Sequence, residues 1–397
     1  MTAEPLADDP VAGVLDGVPV VSWTAADGCR VTAVDRCPHR RAPLSAGRVE
    51  GGVLRCAYHG WAFGAGGACV DIPALGPDAR IPGRAGLTLI ADDPRPTPSL
   101  GPEPGADADW LDGDTPGLER FWHPVCRREE LGPGATTSVE LLGERWELEH
   151  RADGRLAARR ADGLPAADVR VHLDHVWLAP EEPLAPLPPV AEWGGGGWHH
   201  VRMTRKEGRF GVGLLLDNQL DAGHFPFVHV TTFGTPDAAV LPHAVIERAG
   251  PTASSVLRIP IAARNDAAAL RGEHDLHQHR TMTYGFHAPL WLSLRLDYEQ
   301  LGGSTLLLFA FVPLARGRAR MDVDILFRKP EGFTPDELED RLAFEEQVVA
   351  EDLRLQRLFD DLRLPLDPAV ERHTKADRYS LACRQLIRDL LRTATTP

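Results

Sequence analysis

The chain has 397 residues, 43% of them hydrophobic, enough for two or three domains with ordinary cores. A formal charge of −14 leaves no basic field to attract phosphates, which excludes nucleic acid as a partner. Six cysteines are too few for a disulfide scaffold, MTAEPLADDP lacks a charged-then-apolar leader, and the longest apolar run, Leu306–Val312, is too short to cross a bilayer. No membrane contact and a reducing, cytoplasmic setting are expected.

Residues 1–100 hold short apolar runs (VPVVSW, CRVTAV, GVLRC, GLTLIA) broken by Gly, Pro and Asp, the punctuation of an all-β domain. Residues 101–119 are rich in Pro, Gly and Asp and read as a linker. Residues 120–190 return to short β-like runs. LDGVPVVSWTAADGCRVTAV (15–34) lines up with LLGERWELEHRADGRLAARR (141–160), element for element, and GLTLIADDPRPTP matches HVWLAPEEPLAPLP loosely. The expectation is a duplicated β-domain, with Asp-Gly hairpins alone as the plainer explanation. From 191 to 397, longer strands mix with helices, so the fold class is α+β.

Within the first zone, Cys37 and His39 are one residue apart, Cys56 and His59 two, and sixteen residues separate the pairs. Structural zinc sites draw on Cys-x2–4-Cys turns, whereas here each loop offers one thiolate and one imidazole. Two metals side by side satisfy that pattern, one taking both sulfurs and the other both imidazoles, the arrangement of a Rieske [2Fe–2S] centre. Cys29, Cys69, Cys126 and Cys383 lack ligand spacing and read as small buried hydrophobes.

GVGLLLDNQLDAGHFPFVH (211–229) opens as a helix on which Asp221 and His224 would share a face. His229 falls about 140° further round an ideal helix, and Pro226 is expected to break it so that the second imidazole swings back. Two His and one carboxylate make the facial triad of non-haem Fe(II) sites. Asp221 is one candidate carboxylate. The other lies on a helix expected over Pro335–Leu362, started by Thr334, Pro335 and Glu337. Its apolar stripe is Leu338, Leu342, Val348, Val349, Leu355 and Phe359, with Asp352 at the centre and Glu351 nearer the edge. A carboxylate there is either salt-bridged or metal-bound; beside an incomplete two-His site, metal is the better reading. HDLHQH (274–279), flanked by RGE and RTM, reads as a solvated loop, and WHH (198–200) as strand or rim. TYGFHAPLWLSL (283–294) lines either a pocket or plain core.

CPHRRAPLSAGRVEGGVLRCAYHGW resembles the cluster segment of Rieske non-haem iron oxygenases, departing from it at Arg41, where Gly is usual, and Ala57, where Pro is usual. An extra cation at Arg41 would tune the potential or serve partner docking. DNQLDAGHFPFVH resembles the family's mononuclear-iron motif and AEDLRLQ its downstream Glu-Asp segment. The resemblance, to members related to vanillate O-demethylase, covers nearly everything except 101–190. It implies Cys37, His39, Cys56 and His59 as cluster ligands, His224, His229 and Asp352 as iron ligands, and Asp221 as the carboxylate bridging His224 to a cluster histidine, His39 or His59, of a neighbouring subunit. It also implies a helix-grip catalytic domain, an antiparallel sheet around the long helix.

A family member's Rieske domain would begin near FWHPVCRREELGPG (121–134), which here opens the copy without ligands. Residues 1–100 are therefore expected to be the Rieske domain, 101–119 a linker, 120–190 a degenerate Rieske-like domain and 191–397 the catalytic domain. The expected cofactors are one [2Fe–2S] cluster and one Fe(II), with O2 as co-substrate and NAD(P)H engaged only through a reductase. The expected partners are a ferredoxin or flavin reductase and a small aromatic or heterocyclic molecule that is hydroxylated, demethylated or N-oxidised. Assembly is a homotrimer, or a monomer with in-chain electron transfer if the duplication holds. The alternative is a non-catalytic electron-transfer protein with a vestigial iron site.

Overall fold

Two-residue turns set the register of both N-terminal β-units. In the computed structural model, which describes residues 9–83, 85–90, 109–264, 267–300 and 302–395, strands β1 (Val11–Leu15), β2 (Val18–Thr24) and β3 (Arg30–Val34) form an antiparallel meander. Asp16 and Gly17 link β1 to β2 with φ of 49° and 81°, the two left-handed residues a type I′ hairpin needs. A four-stranded sheet follows: β4 (Arg48–Glu50), β5 (Val53–Arg55), β6 (Ala62–Phe63) and β7 (Cys69–Asp71). The Cys/His loops precede β4 and join β5 to β6. Cys29 is exposed and Cys69 half-buried, so of the four remaining thiols only Cys126 and Cys383 are buried as expected.

Residues 101–108 of the expected linker lie outside the described residues. The described remainder is packed structure. β8 (Trp110–Leu111) pairs with residues Leu364–Pro365, and Asp112 is buried, accepting the Gly317 N–H at 3.0 Å. Apolar Trp110 and Leu111 end the linker early by offering surface to bury.

The second β-unit comprises β9 (His123–Arg127), β10 (Thr136–Leu141), β11 (Glu144–His150), β12 (Leu156–Arg160), β13 (Asp168–His172) and β14 (His175–Ala179). Its β10–β11–β12 meander repeats β1–β2–β3 bond for bond. Leu142 and Gly143 take φ of 56° and 77° where Asp16 and Gly17 stand. Gly154 N–H bonds Arg151 O at 2.9 Å as Gly28 N–H bonds Ala25 O at 2.9 Å, and Arg151 N–H bonds Arg155 O at 2.8 Å as Ala25 N–H bonds Cys29 O at 2.8 Å. Ile90 N–H returns to Thr32 O at 2.9 Å, and Ala166 N–H to Ala158 O at 3.0 Å. The counterpart of residues 88–90 is therefore 164–166 rather than HVWLA. The segment carrying the Cys/His pairs is reduced to residues 159–165 in the second unit.

The C-terminal part runs β15 (His199–Arg202), β16 (Lys206–Gly208), α1 (Val212–Leu220), α2 (Phe225–Val228), β17 (Val245–Ala249), β18 (Thr252–Ala262), α3 (Ala267–Leu270), β19 (His277–His287), β20 (Trp291–Tyr298), β21 (Ser304–Ala315), β22 (Arg318–Arg328), α4 (Pro335–Gln356), β23 (Leu364–Pro365) and α5 (Arg378–Thr395). Its antiparallel sheet has the order β15-β22-β21-β20-β19-β18-β17, with β16 also on β22. Strand β21 explains the run Leu306–Val312, because both of its faces are covered. Leu307, Phe309 and Phe311 pack into the core shared with α1, α4 and α5, while Leu306, Leu308 and Ala310 face Trp177 of β14. The α+β class and the pairing of an antiparallel sheet with a long C-terminal helix both hold.

Helix α4 starts as expected: Thr334 caps it, Pro335 occupies the first turn and Glu337 closes the capping box. It stops at Gln356, six residues before Leu362, with Phe359 buried beyond its end. HDLHQH is not a loop throughout. His277 and His279 are exposed positions on β19, and the inward positions between and beyond them, Gln278 and Arg280, are buried. No helix among the described residues is long and apolar enough to cross a membrane.

Candidate metal centres

The two Cys/His loops close in the same way. Cys37 and Cys56 each accept a backbone N–H from the residue four positions on, Arg41 at 2.9 Å and Gly60 at 3.2 Å. Each also donates its own N–H to the carbonyl one residue further, Ala42 and Trp61, at 2.9 Å. The fourth residue must be left-handed, and Arg41 and Gly60 have φ of 59° and 69°. That is why glycine suits position 41. Arg41 holds the conformation by pairing with Asp361 at 2.6 Å and lying over the Trp110 ring at 5.0 Å. A partner-docking role for this cation is contradicted, since its side chain is only 10% exposed and already paired.

Cys37, His39, Cys56 and His59 are buried together, with the imidazole centroids 4.3 Å apart. Burial pushes the Cys37 thiol up, and its hydrogen bond to Cys56 lowers Cys56 to about 7. His39 Nε2 is tied to Asp377 Oδ1 at 2.9 Å, leaving Nδ1 buried without a hydrogen-bond partner. Two thiols and two imidazoles, one ring nitrogen orphaned, fit a cluster with sulfur on one iron and nitrogen on the other.

The iron motif folds differently from its expectation. Helix α1 ends at Leu220, and Asp221 is its extended C-cap (φ −107°), so Asp221 and His224 do not share a helical face. Pro226 breaks nothing; it lies in the first turn of α2, whose two ends are His224 and His229. That single turn brings the imidazoles together. Their Nε2 atoms are 3.2 Å apart, and each is 3.3 Å from Asp352 Oδ1. These separations suit one ion with bonds of about 2.1 Å, and all three residues are buried. Burial raises Asp352, but the charge of His229 and hydrogen bonding to His224 hold it far below the carboxylate range. Burial likewise opposes charge on His229, and Asp352 and Glu351 outweigh it, raising the ring to about 9.

Glu351, expected near the edge of the α4 stripe, is 3% exposed and accepts from His229 Nδ1–H at 2.7 Å and from Thr232 at 2.7 Å. It fixes the orientation of that ring, as a histidine holding a metal would require. Asn218 and Gln219 donate to the two oxygens of Asp352 at 3.2 and 3.1 Å, and Asn218 also donates to the Tyr58 hydroxyl at 3.2 Å. The sequence gives no spacing signal for these partners. Asn218 and Gln219 sit on the expected helix, but their acceptor lies more than 130 residues away.

The two centres meet within this chain. His59 Nε2 lies 2.6 Å from Asp221 Oδ2, and the His59 and His224 centroids are 6.3 Å apart. Of the two candidate cluster histidines, the one on Asp221 is thus His59. A direct Asp221–His224 hydrogen bond, also expected, is absent: the two come within 4.8 Å, but His224 Nδ1 has no hydrogen-bond partner. Gly60 packs so closely on α2 that a Cβ there would sit 2.2 Å from the Phe227 ring. Between the centres, Arg40 pairs with Asp377 at 2.7 Å, Asp217 at 3.2 Å, Glu371 at 3.7 Å and Asp221 at 3.8 Å, and donates to Ser380 at 2.7 Å. Arg384 shares the nest, binding Asp217 through two nitrogens at 2.7 Å and Glu371 at 2.7 Å.

Glu345 of α4 is buried, and no hydrogen bond or ion pair to it exists among the described residues. Burial raises its carboxyl to about 7, against the opposing charges of Arg280 and Arg341. Between about pH 4.5 and pH 7 the folded state thus binds the proton that the unfolded chain has released, so this group makes stability fall as pH rises. Glu345→Gln is expected to flatten the slope of thermal midpoint against pH across that window, as read by scanning calorimetry.

His274, His277 and His279 are exposed and away from both centres, and His200 is held by Asp324 at 2.7 Å on the far strand pair. Tyr284 and Phe286 of TYGFHAPLWLSL point into the core, Tyr284 against Tyr379 of α5 at 5.2 Å.

Residues 2–88 match the Rieske [2Fe-2S] domain and residues 211–393 the vanillate O-demethylase oxygenase C-terminal domain. A putative toluene-4-sulfonate monooxygenase system iron-sulfur subunit of Comamonas testosteroni is 50% identical over 60% of this chain and 46% of its own length. The 3-chlorobenzoate-3,4-dioxygenase oxygenase subunit of the same organism is 46% identical over 17% of this chain and 16% of its own length. The chain thus spans less than half the length of the curated relatives it matches. Among solved structures, Pseudomonas putida CBB5 NdmA with caffeine is 18% identical, covering 98% of this chain and 86% of its own, with a TM-score of 0.47.

Proposed function

Because the chain belongs to the Rieske non-haem iron oxygenases, we propose that it uses dioxygen and electrons from a ferredoxin or flavin reductase to hydroxylate, demethylate or N-oxidise a small aromatic or heterocyclic molecule. NAD(P)H would reach it only through the reductase. The observation that carries this reading is the convergence of His224, His229 and Asp352 beside a cluster loop that touches the same site through Asp221. The names of the toluene-4-sulfonate and 3-chlorobenzoate relatives support an aromatic substrate.

In this reading Cys37, His39, Cys56 and His59 hold the cluster, and His224, His229 and Asp352 hold the iron. When bound, these groups supply single electrons and open coordination positions for dioxygen. The chain's own residues do the rest. Glu351 orients His229, Asn218 and Gln219 orient Asp352, and Asp377 and Asp221 fix the two cluster imidazoles. Asp221 is the link between centres. Burial raises it, but His59 and Arg40 outweigh this and keep it ionised. Asp221→Asn keeps the size and loses the charge. It is expected to slow cluster-to-iron electron transfer by about 10- to 100-fold in single-turnover measurements, with iron and sulfide content unchanged.

The domain division proposed is 1–100 Rieske, 101–119 connection with its packed end from Asp109, 120–190 degenerate Rieske-like, and 191–397 catalytic. The matched turns and strand returns of the two β-units support duplication. A reducing, cytoplasmic setting is proposed as well, consistent with six free cysteines. We further propose that electrons pass within one chain, the intact unit occupying the place a neighbour's would fill. Support comes from His59 and Asp221 meeting inside this chain at 2.6 Å. Sedimentation with single-turnover assays should find dilute monomer active; activity confined to a trimer contradicts it. A non-catalytic electron carrier requires a broken triad, and all three residues are present.

The primary test is anaerobic iron and sulfide counting on purified protein, then a metabolite screen with a surrogate reductase. The reduced protein should show the low-field g-values of a histidine-ligated cluster and one further iron. Absence of either centre rejects the reading.

A further inference from the structure

Among the described residues four arginines are deeply buried: Arg40, Arg280, Arg320 and Arg384. Three are matched by carboxylates, Arg40 and Arg384 in the nest already described and Arg320 by Asp322 at 2.8 Å. Arg280 is 3% exposed, yet among the described residues no carboxylate lies within 4.0 Å of it. It occupies an inward position of β19, in phase with Gln278, Met282, Tyr284 and Phe286. Its Nε has no hydrogen-bond partner, and Tyr298 stands opposite it in register on β20.

A guanidinium stays charged and carries a fork of donors shaped for a carboxylate or sulfonate, so a buried one without an anion lacks its natural partner. Arg280 lies one ring away from the candidate iron. Its guanidinium is 4.1 Å over Phe233 and 5.7 Å over Phe225. Phe233 stacks on His229 at 4.8 Å, and Phe225 contacts His224 at 4.8 Å. Two further buried hydroxyls without partners, Tyr284 Oη and Ser255 Oγ, stand opposite one another in register on β19 and β18. The acidic group facing Arg280 is Glu345 of α4, which lies beyond 4.0 Å and whose carboxyl burial raises to about 7.

We propose that Arg280 anchors the acid group of an aromatic carboxylate or sulfonate whose ring lies against Phe225 and Phe233, toward His224 and His229. This rests on the oxygenase reading and names its substrate class.

The test is anaerobic calorimetric titration of the iron- and cluster-loaded full chain with substituted benzoates and benzenesulfonates, each beside its neutral amide. At least one acid is expected to bind roughly tenfold to a hundredfold tighter than its amide, the scale of a charged hydrogen bond. Arg280→Gln should erase that preference while leaving amide binding and both metal contents unchanged, and Arg280→Lys should keep part of it. Equal binding of acid and amide by the unaltered protein, no acid binding, or a preference surviving in Arg280→Gln overturns the anchor. If Arg280→Gln fails to fold, the acid–amide comparison in the unaltered protein and in Arg280→Lys decides. Intact centres without acid preference reject only the anchor, whereas missing iron rejects the oxygenase reading as well.

Discussion

Asp352→Ala is expected to yield protein with a complete cluster and almost no mononuclear iron. Asp352 supplies the one oxygen that both ring nitrogens face at 3.3 Å, and it sits in a buried site that offers no exposed substitute. Loss of metal removes several kcal/mol of charge stabilisation, so substrate turnover should drop by at least about 10³-fold. The cluster should be unaffected, because among the described residues the polar partners of Asp352 are Asn218, Gln219, His224 and His229. Iron analysis, sulfide analysis and electron paramagnetic resonance of the reduced protein check both halves. Undiminished turnover would remove Asp352 from the ligand set. Asp352→Asn keeps the size and one acceptor oxygen, for either Asn218 or Gln219 but not both, and so disturbs those amides less than alanine does.

Arg40→Met should have the largest effect on stability and on the seating of the cluster unit. It removes the cation from a dry cluster containing Asp217, Asp221, Glu371 and Asp377 and leaves Arg384 alone against four carboxylates. Breaking a buried pair from one side costs roughly 3–5 kcal/mol, measurable by urea unfolding. In the unaltered protein, burial raises Asp217 and Asp377, but Arg384, Arg40 and His39 outweigh it and both are held below the usual range. Their contribution is therefore complete above about pH 4 and is lost only as the pH falls through their depressed values. Without Arg40 the depression lessens, while Arg384 on Asp217 and His39 on Asp377 remain. Arg40→Met should therefore lose less stability than the unaltered protein as the pH falls below about 4, and Arg40→Lys should restore only part of the lost stability, because an ammonium cannot bridge so many partners.

The reach of sequence reasoning is clearest at Arg280. Beside HDLHQH it reads as part of a solvated loop, because a charged residue among histidines favours exposure. Strand β19 instead buries alternate residues, and the inward phase falls on Gln278 and Arg280. A two-residue period in a polar stretch is hidden when buried members are themselves polar. Glu351 was similarly misplaced at the stripe's edge, because apolar phase on α4 carries no information about a histidine waiting on another element. The error over Pro226 has a different origin: proline reads as a helix breaker, yet in a first turn it is a helix starter, and only the position of α1's end decides between them.

By itself the sequence determined whatever depends on short separations. These are the residue types and spacings of both candidate centres, the helix start at Thr334, the placement of Asp352 among apolar residues, and the turns that make the two β-units alike. Each is a consequence of backbone geometry or ligand chemistry within a short motif. Only the tertiary structure decided which groups meet across the chain: His39 with Asp377 over 338 positions, His59 with Asp221 over 162, and Arg40 with its carboxylates. Burial makes those meetings decisive, because a charge removed from water must find an opposite charge in space, and spacing along the chain does not say where that charge will be.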